Sequence, residues 1–355
     1  MELQSILSAY GLDFESLKIE SFGSGLINNT WRVTTPNQVY ILQRINHAIF
    51  KKPEDIASNI GLIGAYLRKN HPAYLFVSPA KTAVGEEMIF VKNKGYFRMF
   101  PFVEGSHSKD VVETPEQAFE AAAQFGKFTH LLCLHPESSE SGCPIDALKT
   151  TIPQFHDLSL RYQQFLEALD KGNKERILES AEMIALIQQN ADIVQAFENI
   201  KSNPDFKLRV THHDTKISNV LFDEQDKGLC VIDLDTVMPG YFISDVGDMM
   251  RTYLSPVSEE ETDFSKIEVR VDFYKAIVRG YFNEMKDELT AAEKPYFFYA
   301  GKFMIYMQAI RFLADYLNND VYYGAKYPKH NYNRAKNQLV LLQKLKEKES
   351  LVQSA

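Results

Sequence analysis

The chain has 355 residues, of which 45% are apolar and 24% are charged, and its formal net charge is −8. This length exceeds what a single hydrophobic core usually organises, so we expect two lobes. The acidic balance, without a dense run of Lys and Arg, argues against a nucleic-acid partner. The three cysteines are scattered without paired spacing, which argues against a disulfide framework and a structural zinc site.

Nothing in the sequence suggests a membrane segment, because no run of roughly 18 apolar residues occurs. The N-terminal segment also lacks the basic and apolar regions of a secretory signal. We therefore expect a cytoplasmic protein that binds small molecules, with no membrane contact and no obligate protein partner.

A glycine turn between two strands dominates the N-terminal region. The spacing of apolar residues predicts a short helix over residues 3–10 and strands over residues 17–22 and 30–33. Gly23, Ser24 and Gly25 lie between these strands, where the backbone of a hairpin can close over nucleotide phosphates. An ordinary turn is the alternative, because Asn28 stands where a phosphate-binding loop has its third glycine.

The next predicted strand, residues 39–45, is where a kinase places a lysine against the nucleotide phosphates. Gln43 and Arg44 occupy that position here, and strand alternation lets only one of them face a cleft. We predict that one of the two contacts the nucleotide.

One helix and two short strands complete the first predicted lobe. Pro53 starts a helix over residues 53–67 with one apolar face, and strands follow at 88–91 and 96–100. Residues 100–104 are a candidate hinge that binds the nucleobase, with Phe100 and Phe102 as predicted contacts. A plain edge strand is the alternative for this segment.

From residue 114 onward the pattern becomes helical. Thr114 and Pro115 form a typical helix start, and further helices are predicted over residues 155–169 and 174–200. A mostly β lobe followed by a larger, mostly α lobe predicts a bilobal α+β fold. We place the N-terminal nucleotide-binding lobe at residues 1–102 and the catalytic and substrate-binding lobe at residues 103–355.

The most informative stretch is residues 210–237, where three short predicted strands alternate with polar turns. His212, Asp214, Asn219 and Asp233 have the order and spacing of a kinase catalytic loop followed by its metal-binding residue. Asp214 would accept the proton of an attacking hydroxyl. Asn219 and Asp233 offer the oxygen ligands that suit Mg²⁺ bound to nucleotide phosphates. A purely structural turn is the weaker alternative.

Two further residues are expected to support this loop. His212 is predicted to hold it by hydrogen bonds rather than to react. Asp245 opens a helix predicted to run through residue 254. It is either a simple helix cap or a buttress whose carboxylate accepts backbone N–H groups of the His212 loop.

Several motifs resemble the aminoglycoside phosphotransferase and choline kinase superfamily, whose members have a protein-kinase-like fold. These motifs are T-H-H-D-T-K-I-S-N-V-L (211–221), I-D-L-D-T (232–236) and D-V-G-D (245–248). A narrower set resembles the N-acetylhexosamine 1-kinases and spans nearly the whole chain. It includes G-x-G-x-I-N-x-T (23–30), R-F-L-A-D-Y-L (311–317) and K-Y-P-x-H-N (326–331).

The resemblance implies ATP-dependent phosphorylation of the anomeric hydroxyl of N-acetylglucosamine or N-acetylgalactosamine. It implies that Asp214 is the catalytic base and that Asn219 and Asp233 hold Mg²⁺. It also implies that Arg311 and Tyr322 contact the sugar.

Alternatives remain open at this point. Judged from the residues alone, Arg311 could instead pair with Asp315, four residues later on an exposed helix face. A kinase for choline, homoserine or an aminoglycoside would share every core residue. A metal-dependent phosphohydrolase could use His212, His213, Asp214 and Asp233 as metal ligands, and a nucleotide-binding protein without turnover is a further possibility.

Overall fold

The computed structural model describes residues 3–23, 28–47, 49–133 and 145–353. Ser24 and Gly25, two of the predicted phosphate-covering residues, lie outside the described residues. The N-terminal lobe is built on an antiparallel sheet with the strand order β1-β2-β3-β5-β4. Its strands are β1 (Lys18–Ser21), β2 (Asn29–Thr34), β3 (Val39–Ile45), β4 (Ile89–Val91) and β5 (Gly95–Pro101).

Strand register divides the residues of this sheet between two faces. On the outer face, helix α1 (Gln4–Ala9) covers a small core. That core consists of Ile6, Leu7, Val33, Leu42, Phe97 and Met99. On the opposite face, which looks toward the C-terminal lobe, Gln43 pairs with Thr30 on one side and with Arg98 on the other.

Helix α2 (Pro53–Asn70) begins at Pro53, as predicted, and connects the two lobes. Its buried residues Ile56, Ile60 and Ile63 belong to the large core that the C-terminal helices share. Its Asn59 side chain donates a hydrogen bond to the carbonyl of Val237, at 3.0 Å. The helix therefore packs against the C-terminal lobe as well as against its own sheet.

The C-terminal lobe is mainly helical. Its helices are α3 (Pro115–Leu131), α4 (Leu158–Lys171), α5 (Lys174–Glu179), α6 (Ala181–Gln189), α7 (Asp192–Ser202), α8 (Phe242–Tyr253), α9 (Val271–Met285), α10 (Phe297–Leu317), α11 (His330–Glu347) and α12 (Glu349–Gln353). Thr114 caps α3 as predicted, since its hydroxyl accepts the N–H of Gln117. The predicted bilobal α+β arrangement is present. The predicted lobe boundary after residue 102 stays a prediction, and the sheet itself ends at Pro101.

The prediction of one continuous helix over residues 174–200 is wrong, because the chain forms the three helices α5, α6 and α7 there. Ser180 leaves helical geometry between the first two, and Asn190 ends the second. The Asn190 side chain donates to the carbonyl of Leu186 at 2.8 Å, which satisfies an otherwise unpaired group at the helix end.

Helix α10 runs through the middle of the lobe. All of its residues are buried except Lys302 and Arg311. A helix that is apolar on every side is a core helix, and this explains why it lacks a solvent face. Among the described residues, no helix combines the length and apolar character needed to span a bilayer.

Candidate active site

Two short two-stranded sheets hold the loop that carries Asp214. Strand β6 (Arg209–Thr211) pairs with β9 (Met238–Gly240), and β7 (Val220–Phe222) pairs with β8 (Gly228–Val231). The loop between β6 and β7 passes close to Gly240, where any side chain would collide with the ring of His213. This close approach explains the glycine at the end of β9.

Asp245 fixes the backbone of the loop. It lies in the first turn of α8, and its fully buried carboxylate accepts the N–H of His212 at 2.9 Å and of His213 at 2.7 Å. Burial raises the pKa of Asp245 to about 7, while these two amide hydrogen bonds act in the opposite direction. The carboxylate thus accepts from the loop and not from its own helix, which is the geometry of a buttress.

His212 is held by both ring nitrogens. Its Nδ1 accepts the N–H of Asp214 at 3.4 Å, so its Nε2 carries the proton and donates to the carbonyl of Ile232 at 2.9 Å. Burial lowers the pKa of His212, which keeps the ring neutral. A ring used in this way supports the loop and leaves no nitrogen for a metal ion.

His213 is engaged in the same manner. Its Nε2 lies 2.7 Å from the hydroxyl of Thr211 and its Nδ1 lies 2.7 Å from that of Ser244. Among the described residues, no group of three or more His, Cys, Asp and Glu side chains could hold a metal ion. The geometry therefore gives no support to a phosphohydrolase that binds metal through these histidines.

Asp214 lies at the mouth of the loop, with 19% of its side chain exposed, and its Oδ1 is 3.0 Å from Nζ of Lys216. Burial acts to raise the pKa of Asp214, but the charge and hydrogen bond of Lys216 lower it below its usual value. Asn219 donates its side-chain N–H to the carbonyl of Asp214 at 2.8 Å. Its Oδ1 has no hydrogen bond from the described residues and is free to act as a ligand.

Asp233 follows β8 and has a left-handed backbone conformation with φ 60° and ψ 59°. Burial between the lobes, followed by the charges of Asp235 and Asp214, raises the pKa of Asp233 to about 7. Its carboxylate receives no hydrogen bond from the described residues. A carboxylate that is crowded by other acids and unpaired is suited to a cation, which would relieve the repulsion.

The sheet places Gln43 and Arg44 on different faces. Gln43 faces the cleft, where its Oε1 accepts from Nε and Nη2 of Arg98 at 3.1 and 2.9 Å. Arg44 lies on the outer face, near Leu3 and Phe14. Gly23 has a φ of +80°, a backbone conformation that glycine adopts without strain.

The candidate hinge continues the pairing of the sheet. The N–H of Phe102 donates to the carbonyl of Val39 at 2.9 Å, so this amide is already used. The ring of Phe102 contacts Phe22 and lies under the guanidinium of Arg32. Phe100 lies under the guanidinium of Arg98, at 5.0 Å from its ring centre. Both aromatic rings therefore belong to the cleft side of the N-terminal lobe.

A cavity of about 360 Å³ lies between α4 and the C-terminal half of α10. Arg311 and Tyr322 both line it, together with Arg161 and Tyr323. Tyr322 is 70% exposed. The structure thus brings the two predicted sugar contacts to one cavity.

Arg311 does not form the alternative ion pair with Asp315. It donates to the side chain of Gln308 at 3.2 Å, whereas the Asp315 carboxylate accepts the N–H groups of Tyr322 and Tyr323 at 2.7 and 2.9 Å. Since α10 is a core helix, Arg311 reaches into the cavity instead of lying on an exposed face.

Ring contacts connect this cavity to the loop that carries Asp214. The guanidinium of Arg311 lies 5.7 Å from the ring centre of Phe155, and Phe155 stacks on His156 at 4.3 Å. His156 in turn packs against His213, the residue before Asp214. The cavity is therefore linked to the Asp214 loop through a continuous series of packed rings.

An ion network that the sequence analysis missed also supports the loop. Asp248 accepts the N–H of Thr215 at 2.9 Å and pairs with Arg251 at 2.9 Å. Glu259 lies between Arg251, at 2.6 Å, and Arg334. The D-V-G-D motif contains Asp248, but nothing in the sequence connects it to the distant Arg334.

These features describe a phosphotransferase with a kinase-type cleft between two lobes. The model of the phosphotransferase enzyme family (APH) matches residues 18–290, and the chain belongs to that family. It is accordingly a small-molecule phosphotransferase of the kinase type.

Solved structures share the fold over nearly the full chain. A microcompartment-associated aminopropanol kinase is 16% identical with a TM-score of 0.64, and 99% of this chain and 98% of that chain are covered. Spectinomycin phosphotransferase, in complex with ADP and spectinomycin, is 15% identical with a TM-score of 0.59, and 98% of each chain is covered. Choline kinase from Cryptosporidium parvum Iowa II is 12% identical with a TM-score of 0.56, covering 96% of this chain and 92% of that one. At these identities the likeness establishes the fold alone, and the predicted protein-kinase-like α+β fold is confirmed.

Proposed function

We propose that this protein uses ATP to phosphorylate the anomeric hydroxyl of N-acetylglucosamine or N-acetylgalactosamine. The observation that supports a sugar acceptor is the cavity between α4 and α10, where Arg161 and Arg311 hydrogen-bond only to neutral groups among the described residues. Arg161 donates to two main-chain carbonyls and to Gln164. Arg311 donates to Gln308.

Three cationic side chains and two carboxylates line this cavity, namely Arg161, Lys171, Arg311, Glu167 and Asp315. Burial is the main cause that lowers the pKa of Arg161, and the nearby charge of Arg311 lowers it further. A positively charged amine would meet the same repulsion. A sugar instead offers hydroxyl and acetamido oxygens to the guanidinium donors and an apolar face to the tyrosine rings. The two arginines therefore favour a sugar, whereas the positive charge of a choline-like or aminoglycoside acceptor would have to lie beside Glu167.

Asp214 would act on the acceptor hydroxyl. Its lowered pKa keeps it ionised at neutral pH, and the amides held by Asp245 fix the loop that carries it. The ammonium group of Lys216 lies 3.0 Å from the Asp214 carboxylate. From there it can stay paired with this carboxylate or stabilise the negative charge of the phosphoryl group during transfer. Most of the rate gain would come from positioning and from stabilising the charge that develops in transfer.

Asn219 and Asp233 fit a magnesium ion. Asn219 offers a free Oδ1, and Asp233 is an unpaired carboxylate beside Asp214 and Asp235. Two protein oxygens are enough, because Mg²⁺ keeps several waters and takes the rest of its ligands from substrate phosphates. When bound, the ion neutralises phosphate charge; the chain's own contribution is to hold these two oxygens on one side of the cleft.

The test is a substrate panel with an assay of ADP formation. We expect turnover with N-acetylglucosamine and N-acetylgalactosamine, and phosphorus NMR should show phosphate on the anomeric carbon. Choline, homoserine and an aminoglycoside should give no turnover. The matched control is Asp214→Asn, which should lose about 100-fold or more in kcat while it still binds ADP. Turnover on an amino alcohol alone would overturn the sugar assignment.

A further inference from the structure

A buried ion pair joins the two lobes close to Asp233. We propose that Arg98 in the N-terminal sheet and Asp235 in the C-terminal lobe form a latch that positions Asp233 and the end of the glycine turn. In this proposal, which rests on the proposed kinase function, Arg98 and Asp235 are positioning residues that set how well the cleft holds a metal-bound nucleotide.

The latch is almost closed to solvent. Arg98 is 3% exposed and Asp235 is 2% exposed, and Nη2 of Arg98 lies 2.5 Å from Oδ1 of Asp235. Gln43 orients the guanidinium, because its Oε1 accepts from both Nε and Nη2. Gln43 stands at the strand position where a kinase would have its lysine, and here it orients Arg98 of the neighbouring strand.

The other oxygen of Asp235 holds the end of the glycine turn. Asn28 donates its side-chain N–H to Oδ2 of Asp235 at 2.9 Å, and its Oδ1 accepts the N–H of Asn46 at 3.0 Å. Asn28 stands where a third glycine would stand, and only its amide can make both contacts. One carboxylate thus binds two separate parts of the N-terminal lobe.

Asp233 lies two residues before Asp235, so the latch acts directly on its backbone. Asp235 lies in the turn Leu234–Thr236, which directly follows Asp233. The hydroxyl of Thr236 in this turn donates to the carbonyl of His212 at 2.6 Å. The segment after Asp233 is therefore tied to the catalytic loop at one point and to the N-terminal lobe at another. These ties maintain the left-handed conformation of Asp233, which few residues adopt without support.

The pair is better explained by positioning than by stability. A buried ion pair stabilises a fold less than apolar residues of similar size would, because both charges lose their hydration. Nη1 of Arg98 is also buried without a hydrogen-bond partner among the described residues, which adds to that cost. The ion pair lies where the glycine turn, the sheet and the segment after Asp233 meet. We therefore expect its main effect to be the positioning of these parts for nucleotide binding.

Calorimetric titration of ADP, with Mg²⁺ and with EDTA, tests the latch without turnover. In wild type, Mg²⁺ should strengthen ADP binding. In Arg98→Met and Asp235→Asn this gain should fall about 10–100-fold, the usual effect of losing a residue that orients a metal ligand. Binding in EDTA should change little. The control is Arg44→Met, an arginine on the outer face of the same sheet, and it should keep the full gain.

A double variant separates positioning from folding. Arg98→Met with Asp235→Leu replaces the buried charges by apolar side chains but also removes the partners of Gln43 and Asn28, so it should stay folded with a melting temperature somewhat below that of wild type. It should still lose the Mg²⁺-dependent gain. A double variant, or a folded Arg98→Met, that keeps this gain would overturn the latch. If wild type itself showed no Mg²⁺-dependent ADP binding, the proposed kinase function would fail first.

Discussion

Replacing Asp245 by Asn should show how much the Asp214 loop depends on the hydrogen bonds that Asp245 accepts from its backbone. The carboxylate accepts one amide on each oxygen, from His212 and His213, and it is fully buried. Asn keeps one acceptor oxygen but turns an NH₂ group toward the second amide. One charge-assisted hydrogen bond is lost and a buried donor is left unpaired, which costs about 2–3 kcal/mol. Asp245→Asn should therefore lower the free energy of unfolding by that amount and reduce kcat.

Urea denaturation of both proteins measures this difference, provided that the two transitions have equal m-values. Asp192→Asn is a matched control, because Asp192 also lies in the first turn of a helix but is exposed, and its loss should cost below about 1 kcal/mol. If Asp245→Asn were as stable as wild type to within about 0.5 kcal/mol, the loop would not depend on these amides and the buttress would be refuted.

Three further predictions concern the metal site, the acceptor cavity and a buried histidine. Asp233→Asn should weaken ADP binding at least about 10-fold in Mg²⁺ but not in EDTA, and an equal loss in both would contradict its role as a ligand. Arg311→Gln should raise the KM for the sugar about 10-fold, with the KM for ATP and the melting temperature unchanged; a loss of stability would indicate a structural role instead. Burial lowers the pKa of His213 from 6.5 to about 4, so the stability that its neutral ring contributes is complete above pH 6.5 and is lost as the pH falls to about 4. Wild type should lose about 3 kcal/mol more than His213→Asn between pH 7 and pH 4, and parallel unfolding curves would contradict this.

The arrangement of the Asp214 loop was predictable because its residues lie close together in the sequence. Asp214 and Asn219 lie in one short loop, and Asp233 follows after a single hairpin, so the spacing of the residues nearly determines their arrangement. The N-terminal hairpin and the capped helix α3 were predictable for the same reason, since turn and cap residues act on their neighbours.

The latch could not be predicted, because its members meet only in the folded chain. No pattern in the strand that contains Arg98 indicates that this arginine forms an ion pair. Asp235 belongs to the I-D-L-D-T motif, but the motif assigns a role only to its first aspartate, Asp233. Sequence also cannot show which residue of Gln43 and Arg44 faces the cleft, because the side depends on strand register. The absence of an Arg311–Asp315 pair is likewise a tertiary effect, since the backbone of residues 322 and 323 takes the Asp315 carboxylate.

The two hydrophobic cores formed by the described residues differ greatly in size. This difference determines which part of the protein unfolds locally first. Helix α2 packs into the large core, whereas the outer face of the sheet depends on a cluster of six buried apolar residues. Such a unit has a lower free energy of local opening than the rest of the protein. Amide hydrogens of β1 and β2 should exchange with solvent well before those of α10. The strands on either side of the glycine turn can then unfold and refold while the Asp214 loop stays intact.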